Sequence, residues 1–325
     1  SKYKKNSAKK ELMQCLQSKK IESACYWGAE LVCSGHLTDL WEVIIVFFGK
    51  HIHLGNPRLP IYLAMRFNDF KAVVENGYVA DELRLRNSSK VRRIFAEILA
   101  TLCYSNTKHS IETVKICKQD DFNMNHIACR LKAGSVDYGK IAFREADPRE
   151  LYIAINELAY CIRNNNTVES CYWVEWLLEY EGLCKKRREK CECERREFVK
   201  VADKYQMDFI WIIWEILLNE SAKQGVKLRT KIIDSLLSLF CIRYSPGCKK
   251  RRRYLLYCAI SLLTEPCDLS REIVSNKKII EDVVNKINMR KRLLKRKNLN
   301  RYDRYDRFNF YFYKKVQDGF LKILK

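Results

Sequence analysis

The chain has few of the residues that interrupt regular secondary structure, with only 11 glycines and 5 prolines among 325 residues. Folds made of many short strands need these residues at their turns, so an all-β sandwich or barrel is excluded. Long apolar runs are also missing. The two longest, residues 40–48 and 209–218, have about half the length that a bilayer requires, and each contains a glutamate. We therefore predict that no segment spans a membrane.

Motifs for phosphate binding and for nucleophilic catalysis are missing as well. The sequence contains no Gly-x4-Gly-Lys-Ser/Thr motif, because Gly49-Lys50 is followed by His51 and lacks the upstream glycine. There is no nucleophile elbow and no Ser, His and Asp grouping in a suggestive context. We predict that the protein is not an enzyme, has no catalytic residue and uses no cofactor. A deep pocket lined by converging ionisable groups would overturn this expectation.

Fifteen cysteines are present, an odd number, and most of them lie within apolar stretches instead of forming an evenly spaced framework. This usage is typical of small core residues in a reducing compartment. The basic N-terminal residues lead into a polar sequence, which argues against a secretory signal. We therefore expect an intracellular protein of the cytoplasm, the nucleus, or a viral factory or virion.

Two groups of side chains have the chemistry of metal ligands without the usual spacing. Cys184, Cys191 and Cys193 could donate thiolates, but zinc sites normally contain two closely spaced pairs and this sequence has one. His51 and His53 would diverge by about 200° on a helix and could share a metal only on an extended segment. The sequence predicts no metal site, and zinc at the three cysteines is the alternative.

Apolar residues recur at helical spacing through most of the chain, so we expect an all-α fold. Residues that start or stop helices divide the first third of the chain into four helices. The expected boundaries are Gly35 at the end of a helix through Trp27, a Thr38-Asp39 cap on the next, Gly77 at the end of a third, and Lys90 and Tyr104 at the ends of a fourth. Helices should resume near Arg149 after an irregular stretch.

Three segments recur in the same order along the chain. Residues 22–31 (ESACYWGAEL) resemble 169–177 (ESCYWVEWL), residues 39–45 (DLWEVII) resemble 212–218 (IIWEILL), and residues 92–99 more loosely resemble 252–259. Such an ordered echo indicates a duplicated helical unit. The alternative is that Trp and Tyr simply recur in helix cores.

The echo leads to a division of the chain into three parts. We predict two related helical units, residues 1–148 and 149–270, followed by a basic and aromatic extension, residues 271–325. The second unit contains a highly charged insertion, residues 183–196, which we expect to be a solvated helix extension or loop.

The formal net charge of +22 is unevenly distributed. Residues 1–150 contain 24 basic and 17 acidic residues, a net charge of +7, and residues 151–240 contain 14 of each. Residues 241–325 contain 23 basic and 8 acidic residues, a net charge of +15. An excess of this size in one region indicates a polyanion or an acidic protein as partner.

Within the last quarter, cations concentrate in two blocks that contain no acidic residue and in one stretch that alternates with aromatic rings. Cations contact phosphates and aromatic faces stack on exposed bases, so we predict a nucleic-acid-binding surface. The predicted contact residues are Lys249, Lys250, Arg251, Arg252, Arg253, Arg290, Lys291, Arg292, Lys295, Arg296, Lys297, Arg301, Tyr302, Arg304, Tyr305 and Arg307. For the two blocks the alternative is a nuclear-localisation or acidic-partner patch, and for the aromatic stretch it is packing onto the domain or a neighbouring subunit.

Short motifs in residues 1–110 form a series: Ser23-Ala24 and Trp27 in one helix, Ser34-Gly35 after it, residues 52–57 (IHLGNP) at a corner, and residues 102–109 (LCYSNTKH) at a later turn. Together they resemble the C-terminal helical collar of clamp-loader-type AAA+ ATPases, especially the Werner-helicase-interacting branch, although histidines replace that family's acidic residues at the corner. A collar domain oligomerises and packs against partner proteins. The resemblance therefore implies a role in assembly for a chain that lacks the ATPase module. The Lys-, Asn-, Ile- and Tyr-rich composition is similar to that of proteins of large DNA viruses.

Two hypotheses of different classes follow. The first is a non-enzymatic replication- or genome-associated factor that assembles through its helical units. It binds nucleic acid through its basic C-terminal region, and we expect DNA rather than RNA. The second is a structural virion or scaffold protein whose C-terminal aromatic residues contact a neighbouring chain. An oligomer or a larger assembly is expected in either case.

Overall fold

The fold is all-α, as predicted. The computed structural model describes residues 3–77, 81–117 and 120–274, and in these residues the chain forms twelve α-helices and no β-strand. The single β-type pairing in this part of the chain is an isolated bridge between Glu192 and Asp208. None of the described helices is both long and apolar enough to cross a bilayer.

Two compact units make up the described chain, and each takes residues from more than one segment. The first contains residues up to Ile52 and Tyr62–Asn106, and the second contains His53–Ile61 and Thr107–Arg271. The main division thus follows residue 106, whereas the sequence placed it at residue 148. The predicted extension, residues 271–325, lies outside the described residues from residue 275 onward.

Residues 107–148 belong with the second unit because buried helix side chains of that unit satisfy their backbone. The Glu157 carboxylate accepts the N–H groups of Lys132 and Ala133, both at 3.0 Å. The indole N–H of Trp176 donates to the carbonyl of Asp121 at 2.7 Å. An irregular segment lacks the backbone pairing of a helix, so such bonds are what allow it to cover a core.

Six helices occupy the first part of the chain: α1 (Lys5–Gln17), α2 (Ile21–Cys33), α3 (Leu37–Phe47), α4 (Leu59–Glu75), α5 (Glu82–Asn87) and α6 (Ser89–Tyr104). The ends predicted at Gly35, Gly77 and Tyr104 agree with α2, α4 and α6 to within two residues. Helix α3 continues into a π-helical turn at Phe48–Ile52. The sequence pattern therefore located the ends of α2, α4 and α6 well, but it did not predict α1 or α5.

The predicted Thr38-Asp39 cap of α3 is wrong. The helix begins earlier, at Leu37, and has no side-chain cap. Asp39 instead accepts a hydrogen bond from Lys9 at 2.8 Å, and the Lys5 ammonium lies 3.4 Å from its other oxygen. Partial burial opposes ionisation of Asp39, but these two cations prevail and lower its pKa. An ion pair to α1 thus takes the place of the cap.

Aromatic side chains fill the core of the first unit around Trp41 of α3. Its ring centroid lies 5.1 Å from that of Phe67, 6.0 Å from that of Phe70 and 5.4 Å from that of Phe95. Each such ring removes a large apolar area from water, and the Trp41–Phe67 pair adds edge-to-face attraction. These contacts join α3, α4 and α6.

The remaining six helices are α7 (Met124–Ala128), α8 (Tyr152–Arg163), α9 (Thr167–Arg187), α10 (Ile210–Gln224), α11 (Lys227–Cys241) and α12 (Lys249–Thr264). Their core again centres on aromatic rings. Trp211 and Trp214 of α10 lie 5.9 and 5.4 Å from Phe240 of α11, and Trp211 lies 4.6 Å from Tyr244. Helices α8, α9 and α12 pack around this layer.

The three sequence echoes fall on helices that have matching neighbours. They pair α2 with α9, α3 with α10 and α6 with α12. In the first unit α2 packs against α1 and α6, and α1 also contacts α3 and α6. In the second unit α9 packs against α8 and α12, and α8 also contacts α10 and α12. The shared order and the four shared packing pairs support the predicted duplication, whereas the packing of α2 against α3 and of α10 against α12 differs between the units.

The connections within the two helix pairs are also alike. Three residues join α1 to α2, and three join α8 to α9. The middle residue is left-handed in both, Lys19 with φ +53° and Asn165 with φ +54°. In both, the next N–H bonds the carbonyl five positions back at 2.9 Å, which is the hydrogen bond of a Schellman motif. This shared turn is a second, local sign of duplication.

Replacement of Gly35 tests the helix end that the sequence predicted. Gly35 has φ +75°, and an added Cβ would meet the side chains of Glu82 and Arg86. We expect Gly35→Ala to lower the free energy of unfolding by about 1–2 kcal/mol in urea denaturation. Gly182 lies inside α9 with no atom closer than 4.0 Å to an added Cβ, so Gly182→Ala should raise stability by about 0.5–1 kcal/mol. Equal effects of the two changes would contradict this assignment.

Candidate nucleic-acid interface

The first predicted block, residues 249–253, forms the first turn of α12. A helix N-terminus carries partial positive charge, so five cations in this turn are electrostatically unfavourable unless anions lie nearby. All five side chains have partners in the protein, and the burial of each side chain decides which cations remain available to a ligand.

Lys249 lies inside the second unit, with 1 % of its surface exposed. Its ammonium contacts Glu181 at 2.6 Å and both carboxylate oxygens of Asp208 at 2.8 and 2.9 Å. It also lies 4.7 Å from the centre of the Phe209 ring. A buried ammonium is stable only when anions and hydrogen bonds replace its water, which the two carboxylates do. Lys249 therefore joins α12 to α9 and to the start of α10.

Arg252 is buried as well, with 3 % exposure. Its guanidinium donates to the carbonyls of Phe240 and Ile242, both at 2.7 Å. These carbonyls lie at the C-terminal end of α11, where helix carbonyls lack partners within the helix. Arg252 thus caps α11 from the neighbouring helix.

Arg253 points toward α9 and contacts the buried carboxylate of Glu175 at 2.6 Å. The Tyr257 hydroxyl donates to the other oxygen of that carboxylate at 2.8 Å. Burial raises the pKa of Glu175, although Arg253 and Tyr257 both favour its anion. The three groups form a second connection between α9 and α12.

Lys250 and Arg251 are the members of the block on the solvent side. Lys250 pairs with Glu179 of α9, and Arg251 donates to the carbonyl of Gly247 at 3.2 Å. Both side chains are exposed, so they can still meet a ligand. The structure thus corrects the prediction for Lys249 and Arg252, which are inside the protein, and restricts it for Arg253.

The structure also explains why the sequence suggested a binding surface at this block. Glu175, Glu179 and Glu181 lie along one stretch of α9 and pair with cations of α12. Residues 151–240 have no net charge, and these glutamates are among their acids. The basic block therefore packs against acidic residues of the region that has no net charge. The three glutamates of α9 are the feature of the sequence that could have indicated this pairing.

The other predicted contact residues lie outside the described residues. They are Arg290, Lys291, Arg292, Lys295, Arg296, Lys297, Arg301, Tyr302, Arg304, Tyr305 and Arg307. Their role as a nucleic-acid contact stays a prediction.

The three cysteines weighed as zinc ligands lie at the end of α9 and in the segment after it. Cys184 and Cys193 are buried, and the Cys193 thiol donates to the carbonyl of Asp208 at 3.4 Å. Burial raises the pKa of Cys191 and of Cys193 to about 12, which favours their neutral thiols. In the described part of the chain, no group of three His, Cys, Asp or Glu side chains is arranged to hold a metal ion.

The two histidines of the His-x-His motif have different surroundings. His51 lies in the π-helical turn with its Nε2 3.1 Å from the side-chain nitrogen of Gln17. His53 has φ +46° and is 2 % exposed. Burial lowers the pKa of His53 to about 4, with Glu265 opposing this shift and Lys108 adding to it. His53 is therefore a neutral, buried imidazole at neutral pH.

The charged insertion is fixed by a buried arginine. The Arg196 guanidinium is fully buried and contacts Asp147 at 2.6 Å and Glu215 at 2.7 Å. Beside it lies an open groove of about 410 Å³ whose walls include Arg144 and Phe198. Arg144 is itself paired, at 3.2 Å, with Glu215. These arginines and carboxylates form ion pairs with one another, and the ion pairs hold the insertion in place.

Comparison with known proteins adds no family. The chain matches no protein-family model, no curated protein and no solved structure. The collar resemblance therefore stays a prediction from short motifs.

Removal of the buried ammonium tests the role of Lys249. We expect Lys249→Met to lower the free energy of unfolding by about 3–5 kcal/mol, because Asp208 and Glu181 would be left without their shared cation. Lys250→Met is the matched control. Its ion pair is solvent-exposed, so the loss should be under about 1 kcal/mol. Similar losses in the two variants, measured by urea unfolding, would contradict the buried-anchor interpretation.

The buried imidazole gives stability a defined pH dependence. The pKa of His53 falls from 6.5 to about 4 on folding, so the unfolded chain binds the proton more readily. Its contribution is complete above pH 6.5 and is lost as pH falls toward 4. We expect about 2 kcal/mol of loss between pH 7.5 and pH 5 from this residue. His53→Asn, which tolerates a positive φ, should show that much less loss in urea unfolding at the two pH values.

Proposed function

We propose that the protein is a non-enzymatic, genome-associated assembly factor that binds nucleic acid through residues 275–325, here called the C-terminal segment. The observation that carries the proposal is the distribution of charge. The C-terminal segment contains 16 basic and 5 acidic residues, a net charge of +11, which is half of the total of +22. Half of the excess positive charge thus lies in fewer than one sixth of the residues of the chain.

The pairing of cations in the second unit supports this assignment. Lys249, Arg252 and Arg253 contact carboxylates or carbonyls of the protein and cannot supply free charge to a phosphate. The role that the sequence gave to both basic blocks therefore falls mainly on residues 290–297, which contain six cations and no acid. Electrostatic contact with phosphates needs cations that the protein does not already neutralise.

The alternation of arginine and aromatic residues at 301–308 is the second support. Arg301, Arg304 and Arg307 recur every three residues with Tyr302 and Tyr305 beside them. Arginine contacts phosphates and also stacks on bases, and tyrosine offers a stacking face to any base. The combination suits a nucleic acid with exposed bases and tolerates many sequences.

Salt-titrated binding of the full-length chain tests the proposal. One variant replaces Arg290, Lys291, Arg292, Lys295, Arg296 and Lys297 with glutamine, and the probes are a labelled 20-nucleotide single strand and a duplex of the same length. We expect the variant to bind at least about tenfold more weakly at low salt, and the slope of log K against log salt to become shallower by about 3–5. The reason is that each lost phosphate contact leaves one fewer counterion to be released.

A control variant shows whether the position of the lost charge matters or only its amount. Lys4, Lys10, Lys20, Lys90, Lys115 and Lys132 are exposed in the described structure, and their replacement by glutamine removes the same charge. This control should change affinity by less than about threefold. Equal binding by the two variants would reject the C-terminal segment as the contact, and burial of the segment against another protein chain would then favour a scaffold.

A further inference from the structure

The C-terminal end of α9 carries a group of cations that the sequence interpretation treated only as a solvated extension. The side chains of Lys186, Arg187, Arg188 and Lys190 are exposed, and none of these side chains has a hydrogen-bond or ion-pair partner among the described residues. Glu189 is the single acid within this stretch. We name the four cations the α9 cationic cluster.

We propose that the α9 cationic cluster is a second nucleic-acid contact, located on the folded second unit, which binds the phosphate backbone. The inference rests on the proposed function in one respect, since the polymer bound here is the one that the C-terminal segment is proposed to bind. Its evidence is independent, because it comes from residues of the described structure.

The first evidence is the contrast with other cations of the same unit. Arg163 pairs with Glu220 at 2.9 Å, Arg196 with Asp147 at 2.6 Å, and even the adjacent Lys185 pairs with Glu181 at 2.7 Å. The unit thus pairs many of its cations with carboxylates, whereas these four lie within five residues of one another without one. Four cations within five residues repel one another, so the arrangement disfavours folding and favours an anion.

The second evidence is the backbone at Arg188. This residue has φ +61°, and the N–H of Glu189 bonds the Cys184 carbonyl at 2.9 Å, so Arg188 holds the left-handed position of a Schellman motif. Glycine is the residue that fits this position without strain. An arginine here puts a long cation beyond the helix end at a conformational cost, which points to a use for its charge.

The helix dipole accounts for only part of the cluster. Cations in the last turn of a helix are favoured by the carbonyl end, and Lys185, Lys186 and Arg187 supply them. Arg188 and Lys190 lie past the last helical residue, where this effect falls off quickly. The excess of charge therefore extends outward from the helix, into solvent.

The segment that presents the cluster is held on both sides. Helix α9 leads into it, and after it Cys193 donates its N–H to the Met207 carbonyl at 2.8 Å. Three residues later the buried Arg196 anchors the chain. A positioned surface loses less entropy when it binds than a free chain does.

The composition of the stretch that carries the cluster favours nucleic acid over an acidic protein. Residues 169–197 expose no large hydrophobic side chain in the described structure, and the exposed apolar side chains nearest to the cluster along the chain or by hydrogen bond are Phe198 and Met207. Protein–protein interfaces depend on buried aromatic or aliphatic anchors and contain little lysine at their centre. Interfaces with nucleic acid are strongly positive and polar. The α9 cationic cluster has the positive and polar composition of an interface with nucleic acid.

The test uses the full-length chain in which Lys186, Arg187, Arg188 and Lys190 are all changed to glutamate, with the same labelled 20-nucleotide single strand and duplex. We expect binding to weaken at least about tenfold at low salt, and the salt slope to become shallower by about 2–4. The matched control changes Lys4, Lys10, Lys20 and Lys90 to glutamate and should weaken binding by less than about threefold. A cluster variant that binds as tightly as this control would overturn the proposal.

Arg188→Gly separates binding from structure. Glycine fits the left-handed position, so the melting temperature should stay the same or rise, while affinity falls about two- to threefold and the salt slope drops by about 1. A cation with a purely structural role would give the opposite pattern, with lower stability and unchanged affinity.

The outcomes distinguish this proposal from the function proposed above. If only the glutamine variant of residues 290–297 loses affinity, the C-terminal segment binds and the cluster does not. If only the cluster variant loses affinity, the cluster is the contact and the C-terminal segment is not. Loss in both variants supports both contacts. Affinity for an acidic polypeptide such as polyglutamate that exceeds affinity for the oligonucleotides would overturn the choice of nucleic acid.

Discussion

The second unit depends on one buried ammonium. Lys249 contacts Glu181 of α9 and Asp208 at the start of α10, so a single charge connects three helices. The pairing also resolves the conflict between five cations and the positive end of α12. Beside it, Arg252 caps α11 and Arg253 pairs with Glu175 of α9. The first turn of α12 therefore makes charged contacts with α9, α11 and the start of α10.

The sequence predicted the fold better than it predicted the site. Apolar spacing and stop residues located α2, α4 and α6 within two residues, because local propensity and burial act along the chain. The role of residues 249–253 depended on glutamates about 70 positions away, and no local pattern shows that Lys249 faces them. A count of charge cannot separate a cation that a fold neutralises from one that it displays, as Lys249 and Arg188 demonstrate.

The two units share a plan but use it differently. Each contains a helix pair joined by three residues, and each packs the second helix of that pair against a later helix. The second unit adds the long α9 and the insertion anchored by Arg196. Its new charges are divided between the interior, where they hold helices, and the α9 cationic cluster, where they face solvent. The added sequence is therefore where this unit departs most from the first.

The assignment of His53–Ile61 to the second unit has a consequence for the order of folding. This segment contacts α12, and Arg58 reaches the carbonyl of Ser270, 212 residues later. Contacts over such separations form late, whereas helix pairs such as α1 and α2 can form within microseconds. On a ribosome, residues 53–61 must wait until nearly 200 more residues have been made, about 10–40 s at usual synthesis rates. A chaperone that binds apolar segments would find its target there during that interval.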